Sequence, residues 1–271
     1  MTKNYTTVLT IAGSDGSGGA GIQADIKTFA ALECYGLSVI TALTAQNTMG
    51  VLEVYPLDEK CIISQFRALS SDISIDAVKI GMLASAEIIR AVSLLLRELK
   101  GNPPIILDTI LGSSGGRTLL SPEAIPVMKK ELFPLAALIT PNLPETALLT
   151  GMKLPPATRE AIEDAAGILL ESGAASVLVK GGHGEGDECS DCLLSENRFF
   201  WFHSKKIMSG NTHGTGCTLS SAIAAFMARG ESTKSAVEKA KSYITEAIEA
   251  GAAFRLGHGN GPLHHCYRVW R

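Results

Sequence analysis

Apolar and polar positions follow two patterns that take turns along the chain. Short apolar runs, typical of buried strands, alternate with longer stretches in which apolar residues recur every three or four positions, as in amphipathic helices. The predicted strands are residues 8–12, 37–45, 51–55, 76–80, 104–107, 136–139 and 177–179, then a hairpin of 192–195 and 198–203. The predicted helices are residues 22–32, 58–70, 85–99, 121–132, 158–172, 219–228 and 232–254.

Strands and helices alternate without a linker or a break in composition. This order predicts a single α/β domain over residues 1–271, with a mainly parallel sheet covered by helices on both faces. Pro56 ends the run 51–55, which is therefore expected at an edge of the sheet. Loops that follow the carboxyl ends of parallel strands are the usual ligand sites in such proteins.

Composition narrows the classes of function. The 271 residues carry a net charge of −3, with 46% hydrophobic and 19% charged residues. Nothing in this balance indicates binding to nucleic acid or to an anionic membrane. No apolar run approaches the roughly 20 residues that span a bilayer, and no signal peptide is evident at the start. Six scattered cysteines indicate reduced thiols, and therefore a cytoplasmic protein.

Residues 211–222 read Asn-Thr-His-Gly-Thr-Gly-Cys-Thr-Leu-Ser-Ser-Ala and precede the predicted helix 219–228. Gly214 and Gly216 allow a tight turn, and unpaired N–H groups at a helix start favour an anion, usually phosphate. The same field should lower the pKa of Cys217. An ordinary glycine turn before a helix is the alternative interpretation.

Two further stretches follow predicted strands. Residues 13–21 form a glycine-rich loop that fits neither GxGxxG nor GxxxxGK[ST]. Gln46 and Asn47 follow the strand 37–45, where a carboxamide could pair with the edge of a heterocycle. Capping of the turn by Asn47 explains the pair equally well.

Charged residues also follow predicted strands. Asp108 follows strand 104–107, and Lys180 follows strand 177–179, where its ammonium could meet a phosphate as a point charge. Glu145 falls in the first turn of a helix, either as a surface acid that complements the helix dipole or as a carboxylate near a metal and phosphate. The glycine- and serine-rich stretch 111–117 is a candidate lid.

Cysteine and histidine groups suggest metal binding only weakly. Cys189 and Cys192 form a single CxxC without a second pair. The tail contains His258, His264 and His265, for which an exposed histidine-rich tail is favoured over a metal site.

Taken together, these stretches resemble one family, the hydroxymethylpyrimidine/phosphomethylpyrimidine kinases of thiamine synthesis, which are ribokinase-like kinases. The resemblance runs from about residue 8 to the end of the chain. The matching segments are residues 10–15, 17–25, 41–48, 79–83, 140–145, 180–183, 211–219 and 257–265.

The resemblance implies a ribokinase-like three-layer αβα sandwich with a mostly parallel central sheet. It implies ATP with Mg²⁺ as the phosphoryl donor and 4-amino-5-hydroxymethyl-2-methylpyrimidine as the acceptor, phosphorylated to its monophosphate and then to its diphosphate. It also implies a homodimer.

Site residues carry over by position. The resemblance places Gln46 against the edge of the pyrimidine. Around the ring it places Gly13, Asp25, Met82 and Ile110. In the anion hole it places Gly214, Thr215 and Gly216. On the ATP side it places Asn142, Lys180, Glu145 and Asp108, the last two holding Mg²⁺ directly or through water.

The chain departs from the wider superfamily in two places. Most ribokinase-like relatives carry an aspartate as the base where this chain has Cys217, so the identity of the base stays open, as does a role for the thiol as an anion-hole donor. If Cys217 is the base, it should matter more for the first phosphorylation than for the second. The stretch 111–117 also lacks the usual lid lysine, leaving only Arg117, so the second phosphorylation is expected to be weaker.

Two competing functions remain open. Pyridoxal kinase uses the same scaffold, and its substrate is also a nitrogen heterocycle with a hydroxymethyl arm. The tail and the Gln46 segment favour the pyrimidine. A non-catalytic pyrimidine-binding protein is the rival from another class, and the joint presence of Cys217, Glu145 and Asp108 with the glycine loops is evidence against it.

Overall fold

The computed structural model describes residues 3–112, 116–182 and 188–270. Its strands are β1 (Thr7–Asp15), β2 (Tyr35–Asn47), β3 (Gly50–Pro56), β4 (Ala77–Ile80), β5 (Ile105–Leu107), β6 (Leu138–Ile139), β7 (Ser176–Val179), β8 (Glu188–Ser195) and β9 (Arg198–Lys205). Its helices are α1 (Gly21–Ala31), α2 (Glu59–Ser70), α3 (Ala86–Arg97), α4 (Ala124–Glu131), α5 (Leu143–Thr150), α6 (Arg159–Glu171), α7 (Thr215–Ala228) and α8 (Thr233–Gly251).

All nine strands belong to one sheet in the order β3-β2-β1-β4-β5-β6-β7-β8-β9. The six strands from β2 to β7 in this order are parallel, while β3, β8 and β9 join antiparallel at the two ends. The predicted α/β class with a mostly parallel sheet is confirmed. β3 is the predicted edge strand, and β8 with β9 is the predicted hairpin.

Helices cover both faces of the sheet and form two hydrophobic cores. Consecutive strand residues point to opposite faces, so Leu9 of β1 packs with Phe66 of α2 in one core. Its neighbour Val8 packs with Phe29 of α1 and Tyr243 of α8 in the other core. The molecule is therefore a three-layer αβα sandwich.

Side-chain caps set several helix starts where the sequence predicts them. Asp58, Ser85, Thr158 and Ser232 each accept a backbone N–H as N-cap, and Asn142 does the same at the start of α5. Two predicted starts are wrong. α4 begins at Ala124, so Pro122 precedes the helix, and α7 begins at Thr215 rather than at residue 219. The early start of α7 follows from Gly214, whose left-handed conformation (φ 83°) forms the N-cap.

Two predicted loops can be compared only in part. Residues 113–115 of the candidate lid lie outside the described residues, and so do residues 184–187 of the acidic, polar stretch 184–191, which the sequence predicts as an exposed loop. The rest of that loop is strand, since residues 188–191 pair with β9. Among the residues that the structure describes, no helix has the length and apolar character needed to cross a membrane.

Candidate active site

The glycine-rich loop after β1 and the loop before α7 meet at the carboxyl edge of the sheet. A Cβ on Gly214 would overlap the carbonyl oxygen of Gly19, and one on Gly19 would overlap the ring of His213. Gly214 is needed because its backbone lies against that of Gly19, and Gly19 is needed because the His213 ring fills the space beside it. The two motifs that the sequence singles out separately therefore form one site.

The first turn of α7 is the candidate anion hole. Gly214 as N-cap supplies no side-chain cap to the first-turn N–H groups, which also lack acceptors within the helix. The expected role of Thr215 needs correction. Its N–H donates to the carbonyl oxygen of Thr212 at 3.2 Å, and its hydroxyl donates to the same oxygen at 2.7 Å. The N–H groups of Gly216 and Cys217 are the ones placed for an anion.

The environment of Cys217 is opposite to the predicted one. Burial raises the pKa of the half-buried Cys217 thiol to about 11, although Lys79 and a hydrogen bond from Gly21 N–H oppose the rise. The nearby carboxylates of Asp25 and Asp108 add to it. Burial and two acids outweigh the helix N-terminus, so the resting thiol is protonated at neutral pH.

Asp25 forms an ion pair that is closed off from solvent. Lys79 Nζ is 2.9 Å from both carboxylate oxygens of Asp25, and neither side chain has any exposed surface. Thr10 and Ser221 donate hydroxyl hydrogens to the same carboxylate at 2.6 Å. Asp25 has no exposed surface in this structure, so its expected contact with the pyrimidine ring stays a prediction.

A second ion pair lies at the anion hole on its other side. Lys180 Nζ is 2.8 Å from Asp108 Oδ1, and a Cβ on Gly216 would lie 3.4 Å from that ammonium. Burial by itself would raise the pKa of Asp108, but Lys180 and Lys79 hold it below its usual value. The expected ATP-side residues Asp108 and Lys180 are therefore brought next to Gly216.

Glu145 and Asn142 are joined in a capping box at the start of α5. Asn142 Oδ1 accepts from Glu145 N–H at 2.8 Å, and Glu145 Oε2 accepts from Asn142 N–H at 2.9 Å. Burial and the neighbouring Asp108 raise the pKa of Glu145, although Lys180 opposes the rise. Lys180 pairs with Asp108 and acts on Glu145 only electrostatically, so a further cation would suit these two buried carboxylates.

The described residues hold no ready-made cage for a metal. Within residues 3–112, 116–182 and 188–270, no three His, Cys, Asp or Glu side chains converge as a metal-binding group. Mg²⁺ usually keeps several waters and takes one or two carboxylates together with substrate phosphates. Asp108 and Glu145 suit that mode, in which the nucleotide supplies the other ligands.

Gln46 lies beside a histidine–aspartate pair that the sequence reasoning missed. His213 Nε2 is 2.8 Å from Asp15 Oδ2, and Gln46 Nε2 is 3.1 Å from the same ring nitrogen. Burial opposes ionisation of Asp15, but hydrogen bonds from His213, Ser17 and Ala20 outweigh it and lower the pKa to about 2. His213 belongs to the 211–219 motif and Asp15 to the first glycine loop. The sequence signal for the pair was that each of these two motifs contains one of its residues.

The remaining residues expected around the ring lie close to one another. Gly13 faces the Met82 methyl group, with which a Cβ would collide, and Met82 is buried. Gly81 lies between Ala12 and the half-buried Ile110. These residues form an apolar wall at the same edge of the sheet.

The C-terminal tail connects the two halves of the site. Thr48, at the turn after Gln46, accepts from Gly259 N–H through its hydroxyl and from Asn260 N–H through its carbonyl oxygen. The expectation of an exposed histidine tail is wrong for His265, which is buried and 3.0 Å from Thr218 Oγ1 of α7. Burial lowers the pKa of His265 to about 4, so it is neutral.

Arg117, at the end of the candidate lid, is bound to the edge strand. Arg117 Nη1 donates to the carbonyl oxygens of Val51 and Leu52 in β3. The arginine that stands in for the expected lid lysine is thus held against the sheet edge in this structure.

Comparison with known proteins agrees with this geometry. A sequence model of the phosphomethylpyrimidine kinase family matches residues 15–264. The chain belongs to the phosphomethylpyrimidine kinase family. The hydroxymethylpyrimidine/phosphomethylpyrimidine kinase of Escherichia coli (strain K12) is 44% identical over 97% of this chain and 98% of its own length. The family named from the sequence is confirmed.

Solved structures share the fold of this phosphomethylpyrimidine kinase family member. The phosphomethylpyrimidine kinase of Clostridium difficile 630 has a TM-score of 0.78 and 45% identity, covering 89% of this chain and 99% of its own. The pyridoxal kinase of Staphylococcus aureus in complex with AMP-PCP and pyridoxal has a TM-score of 0.88 and 32% identity, covering 98% and 95%. The ribokinase-like sandwich expected from the sequence is confirmed.

Proposed function

We propose that this chain transfers a phosphoryl group from ATP to the hydroxymethyl oxygen of 4-amino-5-hydroxymethyl-2-methylpyrimidine, and then a second one to the monophosphate, for thiamine synthesis. The observation that carries the proposal is the position of Gly216 and Cys217. On one side of these N–H groups, His213 connects to Gln46. On the other side lies the Lys180–Asp108 pair. An acceptor ring and a nucleotide would therefore meet at one anion hole.

The acceptor ring belongs on the side of Gln46, Gly13, Met82 and Ile110. The carboxamide of Gln46 is half-buried and faces the loops, so one edge can pair with a heterocycle. The apolar wall supplies stacking and shape. We expect the hydroxymethyl arm of a ring bound here to face the first turn of α7.

Phosphoryl transfer asks mainly for positioning and for stabilisation of negative charge. The N–H groups of Gly216 and Cys217 would hold the transferred phosphoryl oxygens as charge moves between donor and acceptor. Lys180 is partly exposed and can exchange Asp108 for a phosphate oxygen. Asn142, at the start of α5, borders the same cleft on the nucleotide side.

Asp108 and Glu145 are the residues that would hold Mg²⁺, in part through water. The ion would neutralise the charge on the donor phosphates. The two carboxylates share the charge of one lysine, which is why a divalent cation suits them. Their own task is to fix where the phosphates lie relative to Gly216.

Cys217 has a different resting state from the one that a base requires. A protonated thiol can donate to an anion together with the amides, and it becomes a base only when substrate binding changes its surroundings. The expectation that Cys217 matters more for the first phosphorylation stays a prediction. Single-turnover rates of Cys217→Ala with each acceptor test it, and an equal loss in both steps would contradict it.

The experiment that tests the function compares acceptors. We expect purified protein with ATP and Mg²⁺ to convert the hydroxymethylpyrimidine to its mono- and diphosphate, followed by ³¹P NMR or mass spectrometry. Pyridoxal is the control acceptor, because the pyridoxal kinase of Staphylococcus aureus has the same fold. A higher kcat/KM for pyridoxal would favour the rival kinase function, and tight binding without consumption of ATP would favour a binding protein.

The family resemblance further supports a homodimer in the cytoplasm. Sedimentation equilibrium of the purified chain tests the assembly, and a monomer at micromolar concentration would contradict it.

A further inference from the structure

Two polar groups, His213 and Thr44, lie at the end of the Gln46 side chain. One terminal atom of its carboxamide, Nε2, is 3.1 Å from His213 Nε2, and the other, Oε1, is 3.2 Å from Thr44 Oγ1. The oxygen and nitrogen of a carboxamide have nearly the same shape, so their neighbours decide which atom occupies which position. The hydrogen-bond capacity of His213 and Thr44 therefore determines the orientation of Gln46.

The protonation of His213 follows from Asp15. The Asp15 carboxylate is ionised and can only accept hydrogen bonds. Its Oδ2 is 2.8 Å from His213 Nε2, and an unprotonated nitrogen at that distance would set two lone pairs against each other. His213 Nε2 therefore carries the hydrogen. A ring that also packs against Gly19 has little freedom to turn away.

A protonated His213 Nε2 cannot accept a hydrogen bond from a Gln46 amide nitrogen. The carboxamide oxygen must face His213, where it shares the N–H with Asp15. The amide NH₂ group then faces Thr44 Oγ1. That oxygen can accept because the Thr44 hydroxyl donates to the Ser14 carbonyl oxygen at 2.8 Å. In this orientation both terminal atoms of the amide meet a complementary group, whereas in the reverse orientation the amide nitrogen would face the His213 N–H.

We infer that the Asp15–His213 pair locks the Gln46 carboxamide with its oxygen toward His213, so that the site selects rings with a donor and an acceptor in one order. The inference rests on the proposed contact between Gln46 and the ring. The outer edge of the amide then presents an acceptor beside a donor. An aminopyrimidine complements this edge with its amine and the adjacent ring nitrogen.

The oxo analogue of the same ring has the reverse order. Its carbonyl oxygen accepts and its neighbouring ring N–H donates, so each would face a like group on a locked amide. A free amide would turn over and accept either ring at little cost. His213 is thus a positioning residue for specificity, and its role is visible only when the two rings are compared.

The test measures kcat/KM for the 4-amino acceptor and for its 4-oxo analogue. We expect the unmodified protein to prefer the amino ring by about 10³-fold or more, since buried like groups face each other with the oxo ring. In His213→Leu this ratio should fall by about tenfold or more. KM for ATP is measured in parallel, and the lock predicts that it does not change in step with the ratio.

Two amide variants separate the lock from simple damage to the loops. His213→Gln can place an N–H where Nε2 lies and should restore the ratio, whereas the shorter His213→Asn should not. If His213→Gln and His213→Asn both fold and both keep the amino-to-oxo ratio of the unmodified protein, the lock is disproved. If Gln46→Ala changes kinetics with neither ring, the proposed place of the ring is wrong instead.

A measurement on the unmodified protein removes any dependence on folding of the variants. Long-range ¹H–¹⁵N NMR spectra distinguish a protonated from an unprotonated His213 Nε2. The proposal requires protonation at Nε2 at neutral pH, and an unprotonated Nε2 would overturn it.

Discussion

Helix α7 donates one serine hydroxyl to each of two lysine–aspartate ion pairs. Ser221 donates to Asp25, the partner of Lys79, at 2.6 Å, and Ser220 donates to Asp108, the partner of Lys180, at 3.3 Å. Both pairs have good geometry and both influence Cys217 electrostatically. They differ in contact with solvent, since the first pair is fully buried and the Lys180 side chain is 13% exposed.

This difference separates a structural ion pair from a functional one. Lys79 and Asp25 can bind only each other and their neighbours, so their charges shape the field beneath the anion hole. Burial alone would lower the pKa of Lys79, but Asp25 raises it well above its usual value. Lys180 borders the cleft and can change partners when a phosphate arrives. Lysine thus serves two different tasks in this site, and solvent access determines which of the two it performs.

The largest expected effect comes from breaking the buried pair. Lys79→Met leaves the Asp25 charge without a counter-ion and should lower the free energy of unfolding by about 3–5 kcal/mol. Urea unfolding followed by circular dichroism measures the loss. The Lys79→Met, Asp25→Asn double variant removes the orphaned charge and should recover much of the stability. A single variant as stable as the parent protein would show that the pair has no structural role.

Breaking the Lys180–Asp108 pair should affect activity more than stability. Lys180→Met is expected to lower kcat/KM by about 10²–10³-fold, because it removes a charge aimed at the phosphates. The loss in stability should be smaller than for Lys79→Met, since water can reach Asp108 from the cleft. Steady-state kinetics and urea unfolding are compared on the same preparation. Equal losses of stability in the two variants would end the distinction between the pairs.

The pKa of the Cys217 thiol depends on the charges of both ion pairs. With a pKa of about 11 against an ordinary value near 9, the thiolate fraction at pH 7.5 should be about 10²-fold below that of an ordinary thiol. Alkylation by iodoacetamide, mapped by mass spectrometry, should therefore modify the exposed Cys61 well before Cys217. The rate at Cys217 should rise with pH until about pH 11. Modification of both at similar rates at pH 7.5 would mean that the thiol is activated.

The smallest expected effects come from the two adjacent serines, which are matched controls. Ser221→Ala leaves a buried carboxylate oxygen short of a donor and should cost about 1–3 kcal/mol of stability, with KM for ATP unchanged. Ser220→Ala removes a longer bond at the cleft and should cost less than about 1 kcal/mol, with a modest rise in KM for ATP. Thermal unfolding and ATP titration distinguish them, and a reversed order would contradict the comparison.

Much of this molecule was accessible from the sequence, because the signals are local. Hydrophobic periodicity predicted the α/β class, the edge strand and the hairpin, since strands and helices bury their apolar residues with different repeats. Side-chain caps such as Ser85 predicted helix starts, since the capping bond forms within one turn. The glycine loops were found because backbone that approaches backbone excludes side chains.

Only the tertiary structure could decide what depends on burial and on partners far apart in the chain. It reversed the expected pKa shift of Cys217 because desolvation and two distant carboxylates outweigh the local helix N-terminus. It paired Asp25 with Lys79, 54 positions away, and closed both side chains off from solvent. It joined Gln46 to His213 and Asp15, a contact that spans most of the chain. Local sequence carries propensities, whereas electrostatics and solvent access belong to the assembled fold.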